Sequence, residues 1–211
     1  MTILSDIAES LQRGEDDRVG DLVRQAIDQQ VPAPDILNNG LIAGMNVVGE
    51  QFRLREIFLP DVLLAARAMY AGLDLLKPLL ARDGVPTAGR VVIGSVHGDL
   101  HDIGKNLVAI MLKGAGFEVI DLGNDVPAER FVDAAQEHGA SVIGLSALLT
   151  TTMPVMRDVV ELVRARGLGG RVRVIVGGAP VSEAWSREIG ADSYGYDAAN
   201  AVARVRALVR M

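Results

Sequence analysis

The sequence predicts an α/β protein: a five-stranded parallel sheet of Rossmann- or flavodoxin-like kind, preceded by an N-terminal four-helix bundle. Three observations predict it. Residues 1–88 carry apolar positions at helical spacing and no strand-like run. From Arg90 onward, short β-branched runs alternate with helical stretches. Between the two lies "ARDGVPTAGR", a stretch with Gly, Pro and Thr and no periodicity, which reads as a linker. The expected division is a helical domain over 1–88 and an α/β domain over 89–211.

In the helical part, Val19, Leu22, Val23, Ala26 and Ile27 fall on one helix face. "VPAPD" breaks the chain, and Pro34 can open the next helix because its missing N–H costs nothing there. That helix holds Ile36, Leu37, Leu41, Met45 and Val48. Gly40 and Gly44 form a small patch on it where another helix can approach closely. "REIFLP" interrupts again, and Val62, Leu63, Ala66, Met69, Tyr70, Leu73 and Leu76 form the last stripe. With the amphipathic N-terminus this makes four helices joined by short connections.

In the second part the strand candidates are "RVVIGS", "FEVIDLG", "SVIGLSA", "RVRVIVGG" and the shorter "ADSYGY". Runs continuous in apolar residues, each followed by a helix, mean a parallel sheet covered on both faces. In such sheets ligands sit outside the carboxyl ends of the strands. The loops expected there are "HGDLHDIG", "GNDVP", "SALLTTTMP" and "GGAPVS".

Composition removes several function classes. A net charge of −6 argues against a nucleic-acid footprint. No apolar run reaches the roughly 18 residues of a membrane span, and the N-terminus is amphipathic and acidic, unlike a signal peptide. The absence of cysteine excludes disulfides, thiolate metal sites and thiol catalysis, and fits a cytoplasmic protein.

The first loop concentrates the chemistry. It holds His97 and His101, two of the three histidines in the chain. In Asp99-x-His101, one imidazole nitrogen can face a metal while the other donates to the carboxylate, which fixes tautomer and orientation. A zinc site built from His97, Asp99, His101 and Asp102 is one alternative, although zinc sites usually draw ligands from separate elements. His138 lies at the opposite sheet edge. A plain loop hydrogen bond is the other alternative. No G-x-G-x-x-G follows the first strand and no phosphate-loop motif is present, so dinucleotide or nucleoside-triphosphate binding is unsupported.

Asp99-x-His101-x-x-Gly104, then Ser146-x-Leu148, then Gly177-Gly178, resembles the signature of the cobalamin-binding domain. That domain is shared by methionine synthase, corrinoid-dependent methyltransferase proteins and some mutases. "VGEQFRLREIFLPDVLLAARAM" resembles the helical cap that precedes it in methionine synthase and in the methanol, methylamine and methoxyarene corrinoid proteins. The resemblance covers nearly the whole chain.

It implies a cobalamin or related cobamide, exchanging between methylcobalamin and cob(I)alamin, bound base-off with His101 as the cobalt ligand. Asp99 would share a proton with His101, and removal of the methyl group would be accompanied by proton uptake. Asp102, Ile103, Gly104 and Thr150 join the cofactor-binding set, with Gly104 freeing the turn into the helix. Ser146 and Leu148 would line the slot for the nucleotide tail, and Gly177 and Gly178 would let backbone approach it. Thr152 stands where methionine synthase has a serine bonded to the motif aspartate; capping of the following helix is its alternative role. Phe52, Leu59 and Val62 fall where the family's cap contacts the corrinoid, and ordinary bundle packing is their alternative. His97 is given no role.

The implied function is a corrinoid carrier, not a complete enzyme alone. It would pass a methyl group between a substrate-specific methyltransferase and a second methyltransferase with a tetrahydrofolate or thiol acceptor, and a reductive activase could serve it. The linker would be the hinge that lets the cap move. A mutase subunit and a cobalamin-dependent sensor are the alternatives within the cobalamin class.

Overall fold

The computed structural model describes residues 2–82 and 87–210. It divides into two compact units, Met1–Pro86 with Gly114–Gly116, and Thr87–Lys113 with Phe117–Met211. Residues 83–86 of the expected linker, and with them the core of the expected hinge, lie outside the described residues.

The helical unit begins with α1 (Ile3–Gln12), whose start is fixed by a capping box. The Thr2 hydroxyl accepts from the Ser5 N–H, and the Ser5 hydroxyl accepts from the Thr2 N–H at 2.9 Å. α2 (Asp16–Asp28) follows, with its stripe Val19, Leu22, Val23 and Ala26 buried. The third helical rod is α3 (Ala33–Asp35), a π-helical run (Ile36–Ile42) and α4 (Ala43–Arg53). α5 (Leu59–Arg82) is the fourth rod.

The glycine patch expected on the third rod is real, and α1 is the helix that uses it. A Cβ on Gly40 would stand 3.1 Å from Ile7 Cγ2, and one on Gly44 would stand 2.8 Å from the Ala8 carbonyl oxygen. Only a bare Cα lets the two backbones come this close. The core of this unit includes Ile7, Leu11, Val19, Val23, Ile36, Leu41, Val48 and Leu76, all fully buried.

The second unit is a five-stranded, all-parallel sheet in the order β2-β1-β3-β4-β5, the flavodoxin-like order. The strands are β1 (Arg90–Ser95), β2 (Glu118–Asp121), β3 (Val142–Ser146), β4 (Arg173–Gly177) and β5 (Ser193–Gly195). They alternate with α6 (Ile103–Gly114), α7 (Ala128–His138), α8 (Pro154–Ala165), α9 (Glu183–Ile189) and α10 (Ala198–Val209). β1 and β3 are central and apolar along their length, as a sheet covered on both faces requires.

The core between the sheet and α7, α8 and α9 is built on Val92, Phe131, Ile143, Met156, Val159 and Val176. Register fixes which residues reach the carboxyl edge together: Ser95 lies beside Ser146, and Ser146 beside Gly177. The three motifs of the resemblance, after β1, β3 and β4, therefore start from neighbouring strand ends.

Candidate functional site at the carboxyl edge of the sheet

Asp99 organises this edge. Its side chain has no exposed surface. A buried charge needs partners, and two strand ends supply them. Oδ2 accepts the Leu148 N–H at 2.7 Å, the Leu149 N–H at 3.2 Å and the Thr152 hydroxyl at 2.9 Å. Oδ1 accepts the His101 N–H at 3.1 Å and lies 2.8 Å from His101 Nδ1. Burial pushes the Asp99 carboxyl upward. The Leu148 N–H, the His101 imidazole and N–H, and the Thr152 hydroxyl outweigh it and hold the carboxyl well below its ordinary range.

An ionised carboxylate only accepts hydrogen bonds, so in the neutral imidazole of His101 the proton sits on Nδ1 and Nε2 carries the lone pair. The ring is 52% exposed, so that nitrogen is within reach of a ligand. The His101 carbonyl is tied down by Ser95, which is fully buried and donates its hydroxyl at 2.6 Å.

Thr152 does not cap α8. A capping hydroxyl accepts an N–H, whereas this hydroxyl faces two acceptors, Asp99 Oδ2 and the Leu149 carbonyl, both at 2.9 Å. α8 starts without a side-chain cap. Among the other expected residues, Ser146 ends β3 and its carbonyl accepts the Val96 N–H. Leu148 and Thr150 are exposed. Asp102 directly precedes α6, where its carbonyl accepts the Asn106 N–H. Ile103 is 71% exposed at the start of that helix.

Gly104 differs from expectation, and Gly177 and Gly178 have a reason in the fold itself. Gly104 lies inside the first turn of α6, so it does not make the turn; the left-handed residue in this loop is Gly98, at φ +82°. Gly178 is required by the protein's own packing. It sits at φ +131°, and a Cβ on it would fall 1.9 Å from the Ala147 carbonyl oxygen. A Cβ on Gly177 would likewise meet the Gly195 carbonyl at 3.0 Å. These glycines let β3, β4 and β5 close up at the edge.

Phe52, Leu59 and Val62 belong to the helical unit. Phe52 and Leu59 are partly buried there and Val62 is fully buried. Phe58, between them in sequence, is 69% exposed, and the sequence reading passed over it.

Sequence reasoning also missed a second carboxylate. Asp125, in the loop after β2, accepts the Gly98 N–H at 2.8 Å and lies 2.7 Å from His97 Nδ1. The Gly98 N–H, with His97 beside it, holds this carboxyl below its ordinary range against a smaller opposing effect of burial. The signal was available in "GNDVP", whose Asn-Asp pair suits a turn.

The residues present fit a corrinoid. Among the described residues no group of three or more His, Cys, Asp or Glu could hold a metal ion, so the zinc alternative lacks a ligand set. One oriented imidazole suits a metal that arrives with its equatorial positions filled by a macrocycle. Leu100, Ile103, Leu148 and Leu149 are exposed around it and offer apolar contact. A Cβ on Gly104 would meet nothing within 4 Å, so the space beside it is open.

Comparison with known proteins agrees. A family model described as a B12 binding domain matches residues 89–203, and a second of the same description matches residues 3–77. The chain is 42% identical over 205 residues to a corrinoid protein of Desulfitobacterium hafniense, covering 96% of this chain and 95% of that one. It is 45% identical over 208 residues to dimethylamine corrinoid protein 2 of Methanosarcina acetivorans, covering 98% and 96%.

Among solved structures, the methanol:cobalamin methyltransferase complex from Methanosarcina barkeri matches with a TM-score of 0.88 at 32% identity, over 99% of this chain and 80% of that one. A cobalamin-binding protein from Desulfitobacterium hafniense matches at 0.80 and 33% identity, over 97% and 98%. With both units matched and these relatives spanning nearly its full length, the chain belongs to the B12-binding corrinoid proteins of methyltransferase systems.

Proposed function

We propose that this protein is a methyl carrier that holds a cobamide base-off with His101 as axial ligand and serves two partner methyltransferases in turn. The observation that carries this reading is the Asp99–His101 pair, which leaves one imidazole nitrogen unprotonated and exposed at the carboxyl edge. When bound, the corrinoid supplies the cobalt on which the methyl group travels.

The chain's own residues do the rest. Asp99 keeps the proton on Nδ1, and its negative charge raises the donor strength of Nε2. Thr152 and the Leu148 and Leu149 N–H groups keep Asp99 ionised and fixed. Leu100, Ile103, Leu148 and Leu149, all exposed, would hold the corrinoid by apolar contact.

Methylated amines are the proposed donors, because relatives at 44–45% identity are dimethylamine corrinoid proteins. The first partner is then an amine-specific methyltransferase. The second carries the group to a tetrahydrofolate or a thiol, and a reductive activase restores carrier that has become oxidised. A cytoplasmic site of action belongs to the same proposal.

The test is electron paramagnetic resonance of the cobalamin-loaded protein in its cobalt(II) form. Axial histidine splits the signal through its nitrogen, and ring-15N histidine changes that splitting from a triplet to a doublet. His101→Ala is expected to abolish the isotope effect. An isotope effect that persists in His101→Ala, or is missing from the unaltered protein, defeats the assignment.

A further inference from the structure

The loop that carries the axial histidine is not held by its own strand alone. Its second half is tied to β1 and to Asp99: Ser95 binds the His101 carbonyl, and Asp99 binds the His101 N–H. Its first half is tied to the loop that follows β2. Asp125 accepts the Gly98 N–H through its carboxylate, while its own N–H donates to the Asp99 carbonyl at 3.0 Å. Asp125 thus grips the chain on both sides of the Gly98–Asp99 peptide. Asn124 adds a bond from its side-chain amide to the Leu100 carbonyl at 3.2 Å.

Two features of this grip are costly unless they are used. Gly98, at φ +82°, is the residue type with the most backbone freedom, and it sits next to the carboxylate that must stay fixed. Asp125 itself stands at φ +55°, a left-handed conformation that a non-glycine residue adopts at a cost. A glycine at 125 would relieve the strain but would remove the carboxylate.

We infer that Asp125 is a positioning residue for the axial imidazole: from a neighbouring loop it removes the freedom of Gly98 and so sets the reach of His101 Nε2 toward the metal. His97 supports it from the solvent side, 2.7 Å from the same carboxylate oxygen. The inference rests on the proposed ligation by His101.

The experiment compares Asp125→Gly and Asp125→Asn with the unaltered protein, each loaded with cobalamin. The ratio of histidine-bound to histidine-free cobalt(II) is read from the nitrogen splitting, and the melting temperature from circular dichroism. Asp125→Gly is expected to lower that ratio about tenfold, the equivalent of one charge-assisted hydrogen bond, with only a small fall in melting temperature because relief of the left-handed strain offsets part of the lost bond. Asparagine tolerates the left-handed region and keeps an oxygen for Gly98, so Asp125→Asn is expected to stay within about twofold of the unaltered ratio.

A second measurement needs no corrinoid: the Gly98 amide should exchange hydrogen faster in Asp125→Gly while the β1 amides keep their rates. An unaltered protein without histidine splitting would sink the ligation itself. Histidine splitting that is equally strong in Asp125→Gly, or an unchanged Gly98 exchange rate, overturns the positioning role alone.

Discussion

A carboxylate without exposed surface stays ionised only where donors surround it, and Asp99 has them from two loops. Its folded-state pKa lies below the ordinary 3.8. The stability it contributes is therefore fully present above that ordinary value and is lost as pH falls below it, toward the depressed folded value. Thr152→Val removes one donor and keeps the volume. It should cost about 1.5–3 kcal/mol at neutral pH and move the acid-unfolding midpoint upward, measured by circular dichroism.

Lys105 offers a contrast. Its side chain is 2% exposed and binds both oxygens of Asp121, which is 31% exposed. Asp121→Ala strands a buried cation, whereas Lys105→Met leaves the anion partly in water. Denaturant titrations should show Asp121→Ala to be the more destabilising, by about 2 kcal/mol. The Asp99–His101 pair was legible in the sequence because a carboxylate two residues from an imidazole states a chemistry, and the Asp99–Thr152 bond was legible only through the family resemblance. Asp125 and Ser95 were passed over: the turn at Asp125 was readable in "GNDVP" but its partner Gly98 lies 27 residues away, and Ser95 acts through a single hydroxyl at the end of β1, which no spacing rule marks.

Among the elements, helices and strands were read from periodicity, but the strand order β2-β1-β3-β4-β5 was not, because apolar runs do not say which strands pair. The π-helical run Ile36–Ile42 escaped, since its 7 residues make under two turns, too few for a change of period to show. Gly40 and Gly44 were legible as a site of close approach, but not which helix would approach. Gly104 and Gly178 show the limit of reading glycines without backbone angles. The first is merely unobstructed helix, and the second is forced by the Ala147 carbonyl. Gly44→Ala should drive a methyl into the Ala8 backbone and cost about 1–3 kcal/mol, visible as a lower melting temperature of the helical unit. An unchanged melt would mean that α1 can retreat at no cost.

For the whole molecule, the acidic composition argued only against a nucleic-acid footprint, and it was the resemblance carried by the three motifs that implied a cofactor and partner proteins. The methyl donor was not legible, because no motif or spacing in the chain names one. If donor choice resides in the partner, one preparation of loaded chain should accept methyl groups only when the matching methyltransferase is present. Rates measured with amine-specific and methanol-specific methyltransferases should favour the amine-specific one by at least about tenfold. Equal rates would place the preference elsewhere. Described helices long and apolar enough to cross a membrane are absent.

Leu148 and Leu149 divide their labour between backbone and side chain. Their N–H groups serve the anion, while their side chains face outward. A change of side chain at either position alters the shape offered to a macrocycle but leaves the N–H groups where they are. Under the proposed ligation by His101, contact with the macrocycle would thus be retuned without resetting the electronics of that ligand. Two properties that share a pair of residues are, in this fold, separately adjustable.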